Sequence, residues 1–228
     1  PLSRVEAQIN GLTRLTRASE LPEMLAERWG VDFEKGRVVA DRALASPMTD
    51  SRRGIETIPT LVTVSKAQLS GDSPVTSHLS SLTFFCGGYF DVKESQDATA
   101  TVLAHSTPDS QALLTYQAKR DAAAILTDFK PDNREYPLAL QISEDSGGRA
   151  ILVGDADWLH DSICVNLTTD AMGADREIPL NDNAAFLLNS VESLCDDVTL
   201  LRLRSRGAKP RTFTKIEALG RKVEKRIQ

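Results

Sequence analysis

The sequence lacks any long hydrophobic run. The longest uninterrupted apolar stretches, such as Ala122 to Leu126, contain five residues, whereas a membrane-spanning helix needs roughly 20. We therefore expect no membrane-spanning helix within these 228 residues. With 41 % apolar residues, the chain is long enough to build one large domain or two small ones, each with a hydrophobic core.

The sequence also lacks the short motifs of common catalytic and cofactor sites. It contains no GxSxG elbow for a catalytic serine and no glycine-rich phosphate loop, either GxGxxG or GxxxxGK followed by Ser or Thr. No CxxC pair occurs, and the cysteines and histidines are scattered: Cys86, Cys164, Cys195, His78, His105 and His160. This spacing disfavours a metal centre and a disulfide scaffold. We predict no catalytic residue, no metal and no cofactor.

The charge of the chain is unevenly distributed. The formal net charge is -5, yet residues 202–228 contain ten Lys or Arg against two Glu, a net of +8 that leaves -13 for residues 1–201. A basic segment can bind nucleic acid or an anionic membrane. Phe213 is its single aromatic residue, so base stacking has little support. We favour a solvated basic helix and expect no nucleic-acid binding.

The first two thirds of the chain alternate between strand patterns and polar segments. A helix is predicted over 20–29, with Leu21, Met24 and Leu25 on one face and Gly30 as its end. Strands are predicted at 36–41, 60–65, 81–88, 100–106 and 136–143. The turn-rich segment 43–59 indicates a long surface loop, and 110–125 could be helical.

The last third favours an α/β fold with a mostly parallel sheet. The run "RAILVGD" (149–155) is nearly all apolar, as in a strand covered on both faces. A helix follows, with Asn181 or Asp182 as its N-cap. Its apolar residues recur at helical spacing and are expected to lie on the sheet: Ala184, Leu187, Leu188, Val191, Leu194 and Cys195.

The basic end contains a strand pattern and a helix pattern. Arg202, Arg204 and Arg206 alternate with apolar or small residues, so they share one strand face, which could bind an acidic partner or an anionic glycan. The alternative, which we favour, is an edge strand protected by charge. A helix is predicted from the capping box Thr214–Glu217, and its apolar seam consists of Ile216, Leu219, Val223 and Ile227.

The stretch "GDADWL" (154–159) is the most site-like motif. Asp155 and Asp157 follow a predicted strand, where they could hold a polar ligand or Mg²⁺ through carboxylate oxygens. A phosphohydrolase nucleophile of the haloacid-dehalogenase type is disfavoured, because Trp158 and Leu159 replace the small or hydroxyl residues of that motif. We favour a turn and helix cap without catalytic function. The pair Gly87–Gly88 in "CGGYFD" likewise indicates a turn, or alternatively a close approach to a ligand.

Several stretches carry a resemblance to a known family. They are "LPEMLAERWGVDFEKGRVVAD", "EYPLALQI", "RAILVGDADWL", "NDNAAFLLNSVESLCDD" and "LLRLRSRGAKPRTFT". Together they resemble the extracytoplasmic domain of the gliding-motility-type auxiliary component of uncharacterised ABC transport systems. The resemblance spans most of the chain and is strongest from Tyr136 to Thr214.

The resemblance implies a fold akin to flavodoxin-like or class I glutamine amidotransferase-like proteins. It implies an α/β accessory domain at 1–201, with its core best defined over 136–201, and a basic strand and helix at 202–228 leading out of the domain. The start at Pro1 and the open C-terminal helix suggest an excised piece of a larger membrane-tethered protein.

The implied function is a non-catalytic accessory domain, in the periplasm or at the outer face of the cytoplasmic membrane. It would bind a partner protein or polymeric ligand beside an ABC permease and ATPase, and it would reach the membrane through segments outside this chain. The alternative is a hydrolase or carbohydrate-active enzyme on an amidotransferase-like fold. The oligomeric state is left open.

Overall fold

The computed structural model describes residues 21, 23–50, 54–169 and 175–195. The helices are α1 Glu23–Trp29, α2 Thr115–Ala118, α3 Ala122–Thr127, α4 Asp161–Cys164 and α5 Asn183–Leu194. The strands are β1 Val31–Phe33, β2 Arg37–Asp41, β3 Ala45–Asp50, β4 Gly54–Ser65, β5 Ser81–Phe85, β6 Phe90–Val92, β7 Ala98–His105, β8 Ser110–Leu114, β9 Pro137–Glu144, β10 Arg149–Val153, β11 Val165–Thr169 and β12 Asp175–Pro179. No helix in these ranges is both long and apolar enough to span a bilayer.

The strands form five small antiparallel sheets within the described residues. Two sheets have three strands, in the orders β3-β4-β5 and β10-β9-β7, and the pairs β1-β6, β2-β8 and β11-β12 form the others. Every strand pairing of these sheets is antiparallel. The prediction of a mostly parallel, flavodoxin-like or amidotransferase-like α/β sheet is therefore wrong.

The hairpin β9-β10 explains this error. Gly147 has a φ of +94° and its N–H donates to the Glu144 carbonyl at 2.9 Å, so a tight turn reverses the chain directly onto its neighbour. The apolar run Ala150–Val153 is half-buried, not covered on both faces. Its composition was typical of a parallel strand, but the preceding Gly147–Gly148 pair is a hairpin signal that decides the pairing.

Two other segments also differ from prediction. The expected surface loop at 43–59 contains β3 and the first half of β4, which pair as a hairpin. Pro47 lies in β3, an edge strand of its sheet, where a missing N–H is tolerated. The expected helix at 110–125 begins instead as β8, which pairs with β2, and only then becomes the short helices α2 and α3.

Most predicted elements exist close to their expected bounds. The strands expected at 36–41, 60–65, 81–88, 100–106 and 136–143 correspond to β2, β4, β5, β7 and β9. Helix α1 ends at Trp29, directly before Gly30, as predicted, and Gly30 has a φ of +64°. The Met24 side chain of this helix is exposed, however, and Trp29 is buried instead. The Trp29 indole N–H donates to Glu144 Oε1 at 2.6 Å, which ties α1 to the end of β9.

The main core lies between the two three-stranded sheets and α5. Its buried side chains include Val62 and Val64 of β4, Leu103 of β7, Leu138 of β9 and Phe186 of α5. A second cluster lies under α1, where Trp29 and Val31 pack against Leu140 and Ile142. The central strand β9 therefore contributes to both clusters.

Helix α5 exists where predicted but faces the opposite way. Its buried residues are Asn183, Phe186, Asn189, Ser190 and Ser193. The predicted core-facing stripe is exposed instead: Ala184, Leu187, Leu188, Val191, Leu194 and Cys195. The periodicity located the helix correctly, because apolar spacing identifies a helical face whichever way that face points.

Candidate functional site

The "GDADWL" stretch lies where two chain segments cross at close range. The N–H of Gly88, in the segment after β5, donates to the Gly154 carbonyl at 2.7 Å, and the Gly154 N–H donates to the Leu138 carbonyl of β9 at 2.9 Å. A Cβ at Gly154 would lie 2.5 Å from Gly88 O, closer than real Cβ atoms approach. Only glycine allows this crossing, which we call the glycine crossing (residues 86–88 and 154–155).

Asp155 is a buried carboxyl within the glycine crossing, with 3 % of its surface exposed. Its Oδ2 accepts from the Phe85 N–H at 2.6 Å and its Oδ1 from the Asp157 N–H at 2.8 Å. The second bond closes the turn after β10, and the first ties that turn to the end of β5. Asp155 therefore joins β5 and β10 through main-chain contacts.

The electrostatics of Asp155 follow from its burial. Burial raises its pKa to about 7, while the Phe85 and Asp157 N–H groups lower it in part and the neighbouring Asp157 carboxylate raises it. Such a carboxyl could in principle transfer a proton near neutral pH. Only 3 % of the Asp155 surface is exposed, so a substrate would have to open the turn to reach the carboxyl.

The Asp157 side chain is less buried than the Asp155 side chain. The hydrogen-bond donors that bind the Asp155 carboxyl do not bind the Asp157 carboxylate. Asp157 Oδ2 is buried without a hydrogen-bond partner among the described residues. In the part of the chain that the structure describes, no group of three or more His, Cys, Asp or Glu side chains could hold a metal ion. Binding of a polar ligand or of Mg²⁺ by Asp155 and Asp157, the alternative that the sequence left open, stays untested.

Other segments of this protein fill the space around Gly87 and Gly88. Cys86 has a φ of +51°, which turns the chain sharply after β5, as the predicted turn requires. A Cβ at Gly88 would lie 2.6 Å from the Phe33 ring, and Gly154 O meets the Gly88 N–H. The close approach at Gly88 is therefore made by other segments of this protein.

Asn183 is a residue that the sequence did not single out. It is fully buried, and its side-chain amide pairs with both main-chain groups of Thr83: Oδ1 accepts from the N–H at 2.9 Å, and Nδ2 donates to the carbonyl at 2.8 Å. Nδ2 also donates to the Trp158 carbonyl at 2.6 Å. The side chain thus extends the edge of β5 and links it to the segment after the glycine crossing.

The two predicted cap residues before α5 have different functions. Asn181 Oδ1 accepts from the N–H of Asn183, the first residue of the helix, at 3.1 Å, as a cap does. Asp182 is the N-cap residue, but its side chain makes no capping hydrogen bond to the helix. Its Oδ2 instead accepts from the N–H groups of Ser80 and Ser81, at 2.6 and 3.1 Å. A polar run before a helix is typical of a cap. Nothing in the pattern "NDN" indicates that Asp182 and Asn183 bind the main chain of β5.

The predicted partner-binding arginines lie outside the described residues. Arg202, Arg204 and Arg206 belong to residues 196–228, as does the predicted C-terminal helix. The division of the chain at residue 201 is untested for the same reason. A groove of about 810 Å³ lies between α1, β1 and the segment after β6, and it shares no lining residue with the glycine crossing.

The comparison with protein families identifies the chain. The model of the family described as "ABC-type uncharacterized transport system" matches residues 3–190, so the chain belongs to this family. This confirms the family part of the resemblance. A search of the curated proteins found no match.

Proposed function

We propose that this chain is a non-catalytic accessory domain of an ABC-type transport system, which acts by binding a partner protein or a polymeric ligand. Its family membership supports the link to transport. The proposal that the domain is non-catalytic is supported by the surroundings of Asp155. Both oxygens of this carboxyl accept main-chain hydrogen bonds within a buried turn. The hydrogen bonds of this residue join β5 to the turn after β10, which supports a structural function for its carboxyl.

The finer parts of the proposal come from the resemblance. They are a gliding-motility-like system, a position in the periplasm or at the outer face of the cytoplasmic membrane, and attachment to the membrane through segments outside this chain. The direct partners would be the permease and the ATPase of the same system. The enzyme alternative depended on an amidotransferase-like fold, and the antiparallel sheets remove that basis.

Two experiments test the proposal. The first is a turnover screen with phosphatase, esterase and glycosidase substrates, with and without Mg²⁺, Mn²⁺ or Ca²⁺, on the parent protein and on Asp155→Asn and Asp157→Asn. We expect no turnover in any of them. Turnover in the parent that either substitution abolishes, at an unchanged melting temperature, would show that the protein is an enzyme.

The second experiment is affinity purification from detergent-solubilised membranes. The permease and the ATPase of the proposed transport system are expected to co-purify with it. A variant with Gln at Arg202, Arg204 and Arg206 tests the predicted binding face. Its matched control has Gln at Lys215, Lys222 and Lys225, which removes the same charge from the same basic segment. Recovery of neither subunit with the parent would contradict the proposal.

A further inference from the structure

The two three-stranded sheets of the described residues end in the edge strands β3, β5, β7 and β10. Three of these edges are occupied or interrupted. On β5, the Asn183 amide binds the N–H and the carbonyl of Thr83. On β7, the Leu103 carbonyl accepts from the Ser70 N–H at 2.9 Å, and on β3, Pro47 has no N–H to donate. Such features keep the strands of other molecules from pairing with a sheet.

Strand β10 forms the fourth edge, and the direction of its main-chain groups follows from its pairing with β9. The Gly154 N–H, directly after β10, donates to the Leu138 carbonyl of β9 at 2.9 Å. Hydrogen-bonded pairs alternate along an antiparallel ladder, so the even-numbered residues of β10 bind β9. The N–H and carbonyl groups of Ile151 and Val153 therefore point away from the sheet. Within the described ranges, no group binds them.

The side chains of β10 suit burial beside another strand. Ala150, Ile151, Leu152 and Val153 are each half-buried. Ile151 and Val153 pack against the main core, whereas Ala150 and Leu152 pack against the cluster under α1. A strand beside β10 would therefore meet apolar side chains on both faces of the sheet. The matching partner is an extended strand that is itself apolar on both faces.

Strand β10 of a second copy has these properties. In an antiparallel pair with a twofold axis at Ile151, the outward N–H and carbonyl of Ile151 face those of the second copy's Ile151. Ala150 then lies opposite the second copy's Leu152, and Val153 opposite its Arg149. Apolar side chains meet across the axis and no like charges oppose each other. The strand is self-complementary because Ile151 is the central residue of its five.

We propose that two copies of this chain pair antiparallel through the outer edges of β10, which joins two three-stranded sheets into one sheet of six strands. The pairing cannot extend beyond Val153, because the Gly154 carbonyl accepts from the Gly88 N–H at 2.7 Å. A ladder this short predicts a dimer that dissociates on dilution. The inference does not depend on the proposed transport function.

Sedimentation equilibrium of the full 228-residue chain is the first test, and we expect a monomer–dimer equilibrium. Ile151→Pro removes an N–H that points away from β9, a position where a strand tolerates proline. This variant should keep the circular dichroism spectrum of the parent and lose the dimer. Leu188→Lys is the control, because Leu188 is 51 % exposed on the apolar stripe of α5, the alternative surface for self-association. It should keep the dimer.

Amide hydrogen exchange is the second test and needs no variant. The Ile151 N–H should exchange about tenfold or more slowly in the dimer than in diluted protein, as for a group reached only through opening of the pair. The Leu152 N–H faces β9 in both states, so its exchange rate should not depend on concentration. This test decides the matter if Ile151→Pro does not fold.

Several results would overturn the proposal. One is a parent protein that stays monomeric at every concentration. Another is a dimer that folded Ile151→Pro retains or that Leu188→Lys abolishes. Slow exchange of the Ile151 N–H at every concentration would assign the edge to another segment of the same chain. Fast exchange at every concentration would mean that the edge binds only water.

Discussion

Strand β9 and helix α5 contact the same core with opposite polarities. Strand β9 buries Leu138, Ala139, Leu140 and Ile142, whereas the buried side of α5 is mostly amide and hydroxyl groups around Phe186. The strand is held by apolar burial and by ladders on both edges. The helix is held by hydrogen bonds from its side chains to the main chain of distant segments.

This difference separates two ways of attaching an element to a core. Apolar burial is non-directional and tolerates small shifts of the strand. Hydrogen bonds such as those of Asn183 to Thr83 and of Asn189 Nδ2 to the Val75 carbonyl require one geometry. Once desolvated, these main-chain groups are costly to leave unpaired. Helix α5 is therefore fixed in position even though its apolar stripe faces outward.

The largest effect is expected on the β9 side, at the glycine crossing. In Gly154→Ala the new Cβ would meet the Gly88 carbonyl at 2.5 Å, so the segments must separate and the hydrogen bond to Leu138 O weakens. We expect the free energy of unfolding to fall by about 4 kcal/mol, the upper range for single substitutions. Gly71→Ala is the control, because a Cβ there meets nothing within 4 Å. Equal urea midpoints for the two variants would contradict the close crossing.

The next largest effect tests the hydrogen-bonded attachment of α5. Asn183→Ala leaves the Thr83 N–H and carbonyl without their side-chain partner, and the Trp158 carbonyl keeps only the Cys164 thiol as a side-chain donor. We expect a loss of about 3 kcal/mol in chemical denaturation, since each buried main-chain group left unpaired is costly. Gln96→Ala, which removes the exposed amide of Gln96, should cost less than about 0.5 kcal/mol. A small effect at both positions would mean that apolar packing alone holds the helix.

A third prediction concerns pH and the carboxyl of Asp155. Its folded pKa, about 7, lies above its ordinary value of 3.8, so between these values the folded state binds a proton that the unfolded state does not. Stability from this group is therefore present at low pH and is lost as the pH rises through 7. The free energy of unfolding should fall by roughly 2 kcal/mol between about pH 5 and about pH 7 because of this group.

Comparison of the parent with Asp155→Asn isolates this contribution. The variant cannot titrate at position 155, so its stability should change less steeply over the same interval. Asp72→Asn, at an exposed carboxylate, is the matched control and should keep the slope of the parent. A parent and an Asp155→Asn variant with parallel pH profiles would show that Asp155 is ionised throughout.

The smallest effect is expected within α5 itself. Ser190 is buried, but its hydroxyl donates to the Phe186 carbonyl one turn earlier, a bond within the same helix. Ser190→Ala leaves no group of another segment unpaired, and alanine favours the helix. We expect a change within about 0.5 kcal/mol. A loss as large as that of Asn183→Ala would show that every polar group on this side is needed to attach the helix.

The sequence predicted the elements better than their arrangement. It located α1, its end before Gly30, helix α5 and six strands, because periodicity and glycine positions are local signals. It missed the β3-β4 hairpin, because the segment around Pro47 and Gly54 is rich in residues typical of loops. It favoured a parallel sheet from the apolar run at Ala150–Val153, although the Gly147–Gly148 pair before it supported a hairpin.

The candidate site divides in the same way. The turn interpretation of "GDADWL" agrees with the hydrogen bond from the Asp157 N–H to Asp155, which is a contact between neighbouring residues. The bond from the Phe85 N–H joins residues 70 positions apart, and the bonds from Asn183 to Thr83 join residues 100 positions apart. No local pattern contains such pairings.

The sequence by itself determined where α1, α5 and six of the strands lie, which residues share each face of α5, and the family to which the chain belongs. Only the tertiary structure decided that all described strand pairs are antiparallel, that Asp155 is enclosed, and that α5 turns its polar side inward. The physical reason is that periodicity defines the two faces of an element but not what lies against them. Which face turns towards the core depends on which distant main-chain groups the side chains of that face can hydrogen-bond.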